Sequence, residues 1–449
     1  MNFHFLFSHT LEAYDQIERD PRPADAVLHD YFYAHKHLGS HDRKFISETL
    51  YGMLREELYI DHLARPAITA LGLPPEKFLL MTRLYFYSLH KKSFSEREIT
   101  GALLTLTNLS EENFAALRGY FESHHALQDA PEEDRFSLRY SFPKWMTDEL
   151  KKAYSLPEIE QLYISMNRPA PLVLRANTAK LSRDDLQRRL GTEEFTTERG
   201  LLSAHALVSD KRRSVAQYQS FRDGLFEVQD EGSQLISILL NPKPTARVLD
   251  ACAGGGGKTL HLAALMKNRG EVYAYDAHPR RFGNILQRVK KSGVQNIRLL
   301  DSEQKWLAFT AANLNKLDAV LIDSPCSGSG TLRRNPDLKR RLTAEMLERL
   351  TLQQHDIIRD YAKFVKPLGT LLYATCSVFA RENEAIVESF LAEHQEFRLV
   401  PVSEAAEKMK VDFDVTPLRT RLAGDVYLKL TPERDGTDGF FAAVMQKMA

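Results

Sequence analysis

From about Gly224 onward, short β-branched runs alternate with amphipathic helical stretches, and this alternation is the tightest constraint on how the chain can fold. Strands separated by helices cannot join as hairpins. They pair in parallel, and the intervening helices cover both faces of the sheet. The spacing predicts strands at Arg247–Asp250, Glu271–Asp276, Ile297–Leu300, Asp318–Asp323 and Thr370–Thr375. It predicts helices at Thr259–Asn268, Pro279–Ser292, Ala344–Val365 and Glu382–His394. Ligands of such α/β sheets bind at the carboxyl ends of the strands. Three acids (Asp276, Asp301, Asp323) and three cysteines (Cys252, Cys326, Cys376) fall at or just beyond those ends.

The first strand runs into Asp250-Ala251-Cys252-Ala253-Gly254-Gly255-Gly256-Gly257-Lys258-Thr259. Glycines in a strand-to-helix turn let a ligand approach the backbone, and the helix N-terminus offers unpaired N–H groups. A phosphate-binding P-loop would need glycine where Cys252 stands, and a dinucleotide fingerprint beginning at Gly254 would need glycine where Thr259 stands. Both fail. A nucleoside-binding turn remains, with Asp276, 22 residues after Gly254, placed to take ribose hydroxyls. Asp301 would meet a base edge, and Asp323 ends the next strand.

Cys326 lies in Asp323-Ser324-Pro325-Cys326-Ser327-Gly328, and Cys376 in Ala374-Thr375-Cys376-Ser377. If the fourth and fifth strands are neighbours, both thiols meet above one sheet edge. Two buried structural cysteines are the commoner arrangement. Polar loops of small residues around both thiols speak for reactive ones. An odd number of cysteines, without short spacings, argues against a disulfide framework or a zinc site and for a reducing, cytoplasmic setting. No metal is expected. No run suggests a signal peptide or membrane span.

The 449 residues exceed one ordinary domain. The first ~125 residues read as helices, for example Ala24–Lys36 and Arg43–Leu58, the latter with Phe45, Ile46, Leu50, Met53 and Leu54 on one face. A small mixed unit follows, with a strand at Pro171–Arg175 and a capped basic helix at Ser182–Leu190. The expected domains are residues 1–140, 141–224 and 225–449. With 60 basic and 60 acidic residues the net charge is zero, so any nucleic-acid contact must come from local patches. Arg175, Lys180, Arg183, Arg188, Arg189, Lys211, Arg212 and Arg213 form one candidate surface.

At its loops the sequence resembles the RsmB/Sun family of RNA cytosine-carbon-5 methyltransferases. Pro325-Cys326 and Thr375-Cys376 carry the likeness, with Cys252…Gly256-Gly257-Lys258, Gln229-Asp230-Glu231 and Asp438-Gly439-Phe440-Phe441. His41–Phe45 and Leu50–Arg55 resemble the NusB-like domain of one subgroup. The resemblance implies a Rossmann-like methyltransferase domain behind a NusB-like helical domain and a small α+β unit. It implies S-adenosylmethionine as cofactor, held by Cys252, Ala253, Gly254, Gly255, Gly256, Gly257, Lys258, Asp276, Asp301 and Asp323. Cys376 would be the nucleophile, Cys326 would assist product release, and Asp323 would serve the catalytic site. Leu332–Asp337 also looks like the family and places Arg333 and Arg334 beside RNA. Small-subunit ribosomal RNA is the implied substrate and a monomer the expected form. A transfer-RNA methyltransferase or a non-catalytic ribosome-assembly factor are the alternatives. The family loop usually reads Cys-Ala-Ala-Pro-Gly-Gly-Lys, so Gly254 and Gly255 predict a more flexible turn.

Overall fold

A computed structural model describes residues 2–91, 95–107, 109–124, 126–209, 214–278 and 282–449. Lys211, Arg212, Arg213 and Pro279 of the expectations above lie outside these residues. The chain forms two compact units. One runs to Arg168 and takes in the distant segment Leu332–Ala344; the other holds Pro169–Thr331 and Glu345–Ala449.

The first unit is helical. Helices α1 (Phe3–Arg19), α2 (Ala24–Ala34), α3 (Ser40–Ala70), α4 (Pro75–Lys91), α5 (Glu96–Leu106) and α6 (Glu111–Ser123) surround one apolar core. In α1, Leu6, Phe7, Ala13, Tyr14 and Ile17 recur at helical spacing and are all buried. The stripe expected on Arg43–Leu58 lies inside α3, which runs on to Ala70 because Ile60, Leu63, Ala64 and Ala67 continue the buried face.

The second unit carries two sheets. The small one pairs β1 (Leu172–Ala176), β2 (Glu198–Arg199), β3 (Ala206–Ser209) and β4 (Phe226–Val228) antiparallel in the order β2-β3-β1-β4. The helix Arg183–Thr192 opens as read from sequence, with the Ser182 hydroxyl accepting the Asp185 N–H at 3.1 Å.

The large sheet contains β5 (Arg247–Asp250), β6 (Glu271–Ala274), β7 (Ile297–Leu299), β8 (Leu317–Asp323), β9 (Val365–Thr375), β10 (Phe397–Val400), β11 (Leu428–Leu430) and β12 (Phe440–Lys447). Its order is β10-β12-β9-β8-β5-β6-β7, with β11 also on β12. Strands β5 to β9 are parallel, and β12 enters antiparallel beside β9. Alternate residues feed opposite faces. Val248, Leu321 and Leu372 pack on one, Leu249, Val320, Ile322, Leu371 and Tyr373 on the other. This is a Rossmann-like sheet with one antiparallel strand inserted beside β9. Strand order reverses at β5, whose two neighbours are β6 and β8, so the crevice lies over the glycine turn.

Candidate active site

The glycine turn leaves β5 and enters the helix Gly257–Leu265. Gly254 and Gly256 have φ of +53° and +80°, a region that a side chain disfavours. Glycine in place of alanine at 254 therefore suits the backbone found there. Three side chains tie the turn down. The Gly254 N–H donates to Asp276 Oδ2 at 2.8 Å, the Gly255 carbonyl accepts from Arg288, and the Gly257 carbonyl accepts from Arg175 Nη1 at 2.5 Å. A turn expected to be loose is anchored on both sides.

Thr259 Oγ1 donates to Asp250 Oδ2 at 2.7 Å, closing the turn from strand end to helix start. Asp250 is fully buried, and its Oδ1 has no hydrogen-bond partner among the described residues. Burial, opposed by the Thr259 bond and reinforced by Asp323, pushes its carboxyl up to about 7. Beside it the buried Lys258 ammonium stands 2.6 Å from Asp323 Oδ2. Burial alone would lower the lysine; the Asp323 carboxylate more than offsets this, and Cys376 adds to the field that keeps it charged.

Asp323 pairs with Ala374 across β8 and β9, so the chain ends beyond these strands emerge side by side. Cys326 Sγ and Cys376 Sγ stand 3.4 Å apart, both partly buried and both free thiols. The hydrogen bond to Cys376, burial, and the charges of Cys376 and Glu382 push the Cys326 thiol well above its ordinary value. Cys326 is therefore the group of this pair held as a thiol, with its sulfur 3.4 Å from Cys376 Sγ.

Glu382 fixes the two loops against each other. It is fully buried, accepts the Ser327 N–H (2.8 Å) and hydroxyl (2.5 Å), and accepts the Ser377 hydroxyl (2.5 Å). Gln354 Nε2 bridges Glu382 Oε1 (3.0 Å) and the Pro325 carbonyl (2.9 Å). The Thr375 hydroxyl donates to Asn383 Oδ1 at 2.5 Å, and Asn383 Nδ2 donates to the Ser377 carbonyl at 3.0 Å. The Gly330 N–H reaches the Cys376 carbonyl at 2.9 Å. Each serine beside a cysteine is thus held by one carboxylate.

The structure brings Cys252–Lys258, Asp276, Asp323, Cys326 and Cys376 to one edge of the sheet, with Asp301 just past β7, where Lys305 Nζ binds it at 2.6 Å. Asp276 already accepts two backbone N–H groups, from Gly254 and from His278 at 2.8 Å. Two arginines differ from expectation. Arg175 is only 2 % exposed, bound to Gln229 and the Gly257 carbonyl, and burial pushes it down to about 9, so it supports the turn and offers no phosphate-facing surface. Arg333 is 5 % exposed, and its carbonyl accepts Arg55 Nη2 at 3.2 Å; with Arg334 it belongs to the helical unit. Sequence reasoning missed Asp250 and Glu382. The acid six residues after Cys376, amid Arg381-Glu382-Asn383-Glu384, was the available signal for Glu382.

Comparison with known proteins bears on the family and the fold. The family profile "16S rRNA methyltransferase RsmB/F" matches residues 237–446, and the ferredoxin-like domain of RsmF/B-like methyltransferases matches residues 142–216. The "probable ribosomal RNA small subunit methyltransferase B" of Synechocystis is 30% identical over 418 residues, covering 90% of this chain and 91% of the relative. The protein of that name from Bacillus subtilis is 28% identical, covering 97% of each chain. A solved structure, that of PH0851, is 26% identical, with a TM-score of 0.76 over 97% of each chain. NSun6 from Pyrococcus horikoshii, solved with SFG, is 20% identical with a TM-score of 0.58, over 69% of this chain and 99% of that one, and shares the fold. The chain belongs to the RsmB/F family of 16S rRNA methyltransferases.

Proposed function

We propose that the protein methylates carbon 5 of a cytosine in RNA, with small-subunit ribosomal RNA as substrate and Cys376 as covalent nucleophile. The observation that carries this reading is the pair of free thiols 3.4 Å apart beyond two adjacent parallel strands. Family membership and the relatives named for ribosomal RNA support the substrate. Among the described residues no helix is long and apolar enough to cross a membrane, and we place the protein in the cytoplasm. The division at residues 140 and 224 into NusB-like, connecting and methyltransferase domains belongs to the same proposal.

The turn fits a nucleoside cofactor. Its glycines expose backbone where a Cβ on Gly255 or Gly256 would press on Arg288 or Ile285 at 3.1–3.2 Å, and carboxylates stand at the next two strand ends. Cys252–Lys258, Asp276, Asp301 and Asp323 would hold S-adenosylmethionine, which supplies a sulfonium methyl group when bound.

Carbon 5 of cytosine is a weak nucleophile until a thiolate adds at carbon 6 and makes it enamine-like. The Cys376 thiolate forms that bond, with Cys326 holding it in place beforehand. Asp323, paired to Lys258, would grip the cytosine amino group. Once Cys376 is bonded to carbon 6, its charge and its acceptor lone pair are withdrawn from Cys326. Two of the causes that hold Cys326 as a thiol, the Cys376 hydrogen bond and the Cys376 charge, then vanish while burial and Glu382 remain, and Cys326 can lose its proton to solvent and take up the carbon 5 proton. Once carbon 5 carries the methyl group, its proton leaves to Cys326, the carbon 6–sulfur bond breaks with its electron pair returning to Cys376, and the ring regains aromaticity. Bisulfite sequencing of ribosomal and transfer RNA from a deletion strain tests the substrate. One cytosine in small-subunit RNA should lose its methyl group; a loss confined to transfer RNA would favour the other substrate.

A further inference from the structure

His9 and Glu12 lie on one face of α1, and His35 and His37 follow the last turn of α2. The donor atoms of His9, Glu12 and His35 all lie within 4.8 Å of one another. His9 Nε2 is 3.4 Å from His37 Nε2. The cysteine spacings argued against a metal, but these ligands come from histidines that the fold brings together across 26 to 28 residues of sequence.

We infer that His9, Glu12 and His35 form a site for a divalent transition-metal ion such as zinc, with His37 as a fourth ligand. The imidazole hydrogen bonds carry the argument. His35 Nδ1 lies 2.8 Å from the Tyr31 carbonyl, which can only accept, so Nδ1 bears the proton and Nε2 is bare. That Nε2 is 3.9 Å from Glu12 Oε1. Tyr31 Oη donates to Glu12 Oε2 at 2.8 Å, so it must accept from His9 Nδ1 at 2.5 Å, which leaves His9 Nε2 bare as well. Ligating histidines are typically oriented this way, one nitrogen donating to a carbonyl, a hydroxyl or a carboxylate and the other facing the ion. Two nitrogens each ~2.0–2.1 Å from a tetrahedral zinc stand about 3.3–3.4 Å apart, the separation of the His9 and His37 nitrogens. Two or three imidazoles with one carboxylate suit zinc and its neighbours, whereas magnesium and calcium prefer oxygen donors. All four residues sit in the helical unit, where the ion would pin α1 to the end of α2.

The test is metal titration of the full chain after chelator dialysis, with cobalt(II) as the spectroscopic probe and zinc as competitor. One equivalent should bind and give visible d–d bands, unchanged in a Cys326→Ser/Cys376→Ser variant. His9→Ala and His35→Ala should each weaken zinc by at least ~100-fold, and Tyr31→Phe by about tenfold through lost orientation. Should the histidine variants fail to fold, Glu12→Gln, at a half-exposed side chain, should still fold and weaken binding. The inference is overturned if no ion binds at about 100 μM, if Glu12→Gln leaves the affinity unchanged, or if removing the cysteines abolishes it.

Discussion

The Lys258 ammonium and the Asp323 carboxylate, 2.6 Å apart, join the glycine turn after β5 to the end of β8. The side chains are 10 % and 29 % exposed, so the pair is only partly screened by water. It links the residues proposed to hold the cofactor to those proposed to hold the cytosine. Lys258→Met and Asp323→Asn should each destabilise the chain. A double-mutant cycle by denaturant unfolding should return a coupling of ~1–3 kcal/mol. Additive effects would mean that the two groups act separately.

Asp250 makes stability depend on pH. Its carboxyl is raised from the ordinary aspartate range to about 7, first by burial, so the folded state holds a proton that the unfolded state has lost. Stability from this group is fully present below pH ~4, falls as pH rises through about 7, and is flat above, with a slope of at most ~1.4 kcal/mol per pH unit. Asp250→Asn should remove that slope from the pH 4–7 window in thermal unfolding. A profile identical to that of the parent would show that Asp250 is ionised throughout.

Glu382 is a positioning residue for the two thiols, since it touches Ser327 and Ser377 rather than either sulfur. Glu382→Ala should lower kcat by at least tenfold with KM for RNA nearly unchanged. Glu382→Gln, which keeps acceptor capacity on one oxygen, should recover part of the loss. Equal losses in kcat and KM would point to general unfolding of the loops instead.

Asp276→Ala removes a charged acceptor that holds Gly254 and is proposed to take the ribose hydroxyls. At ~1.5–3 kcal/mol for such a hydrogen bond, calorimetry should show S-adenosylmethionine binding at least about tenfold weaker. An unchanged affinity would take Asp276 out of the cofactor site.

For RNA, the two neighbouring arginines should part company. Arg334→Ala should weaken binding and reduce the salt slope by about 0.7–0.9. Arg333→Ala, at a buried side chain, should chiefly cost stability. If only Arg188→Ala, on the exposed face of the helix Arg183–Thr192, changes the slope, the RNA path runs over the small sheet's unit.

The parallel strands were legible because their apolar runs end at Asp250, Asp323 and Thr375, where the pattern turns polar. The two thiols followed from strand adjacency. Arg175 was misread because charge suggests solvent, while its partners, Gln229 and Gly257, lie 54 and 82 residues away. The same distance problem hid Glu382, whose work is visible only once the β8 and β9 loops touch. Strand β12 was missed because an antiparallel strand after the last helix breaks the βα alternation that guided the reading. The placement of Leu332–Ala344 in the helical unit is a tertiary outcome with no local signature.

The thiol assignment is tested most directly by trapping the enzyme on RNA. Cys326→Ala should add to RNA and methylate it but release it slowly, accumulating a protein–RNA adduct that survives denaturing electrophoresis. Cys376→Ala should form no adduct and no 5-methylcytosine. An adduct in Cys376→Ala, or in neither variant while both stay folded, would contradict Cys376 as the nucleophile.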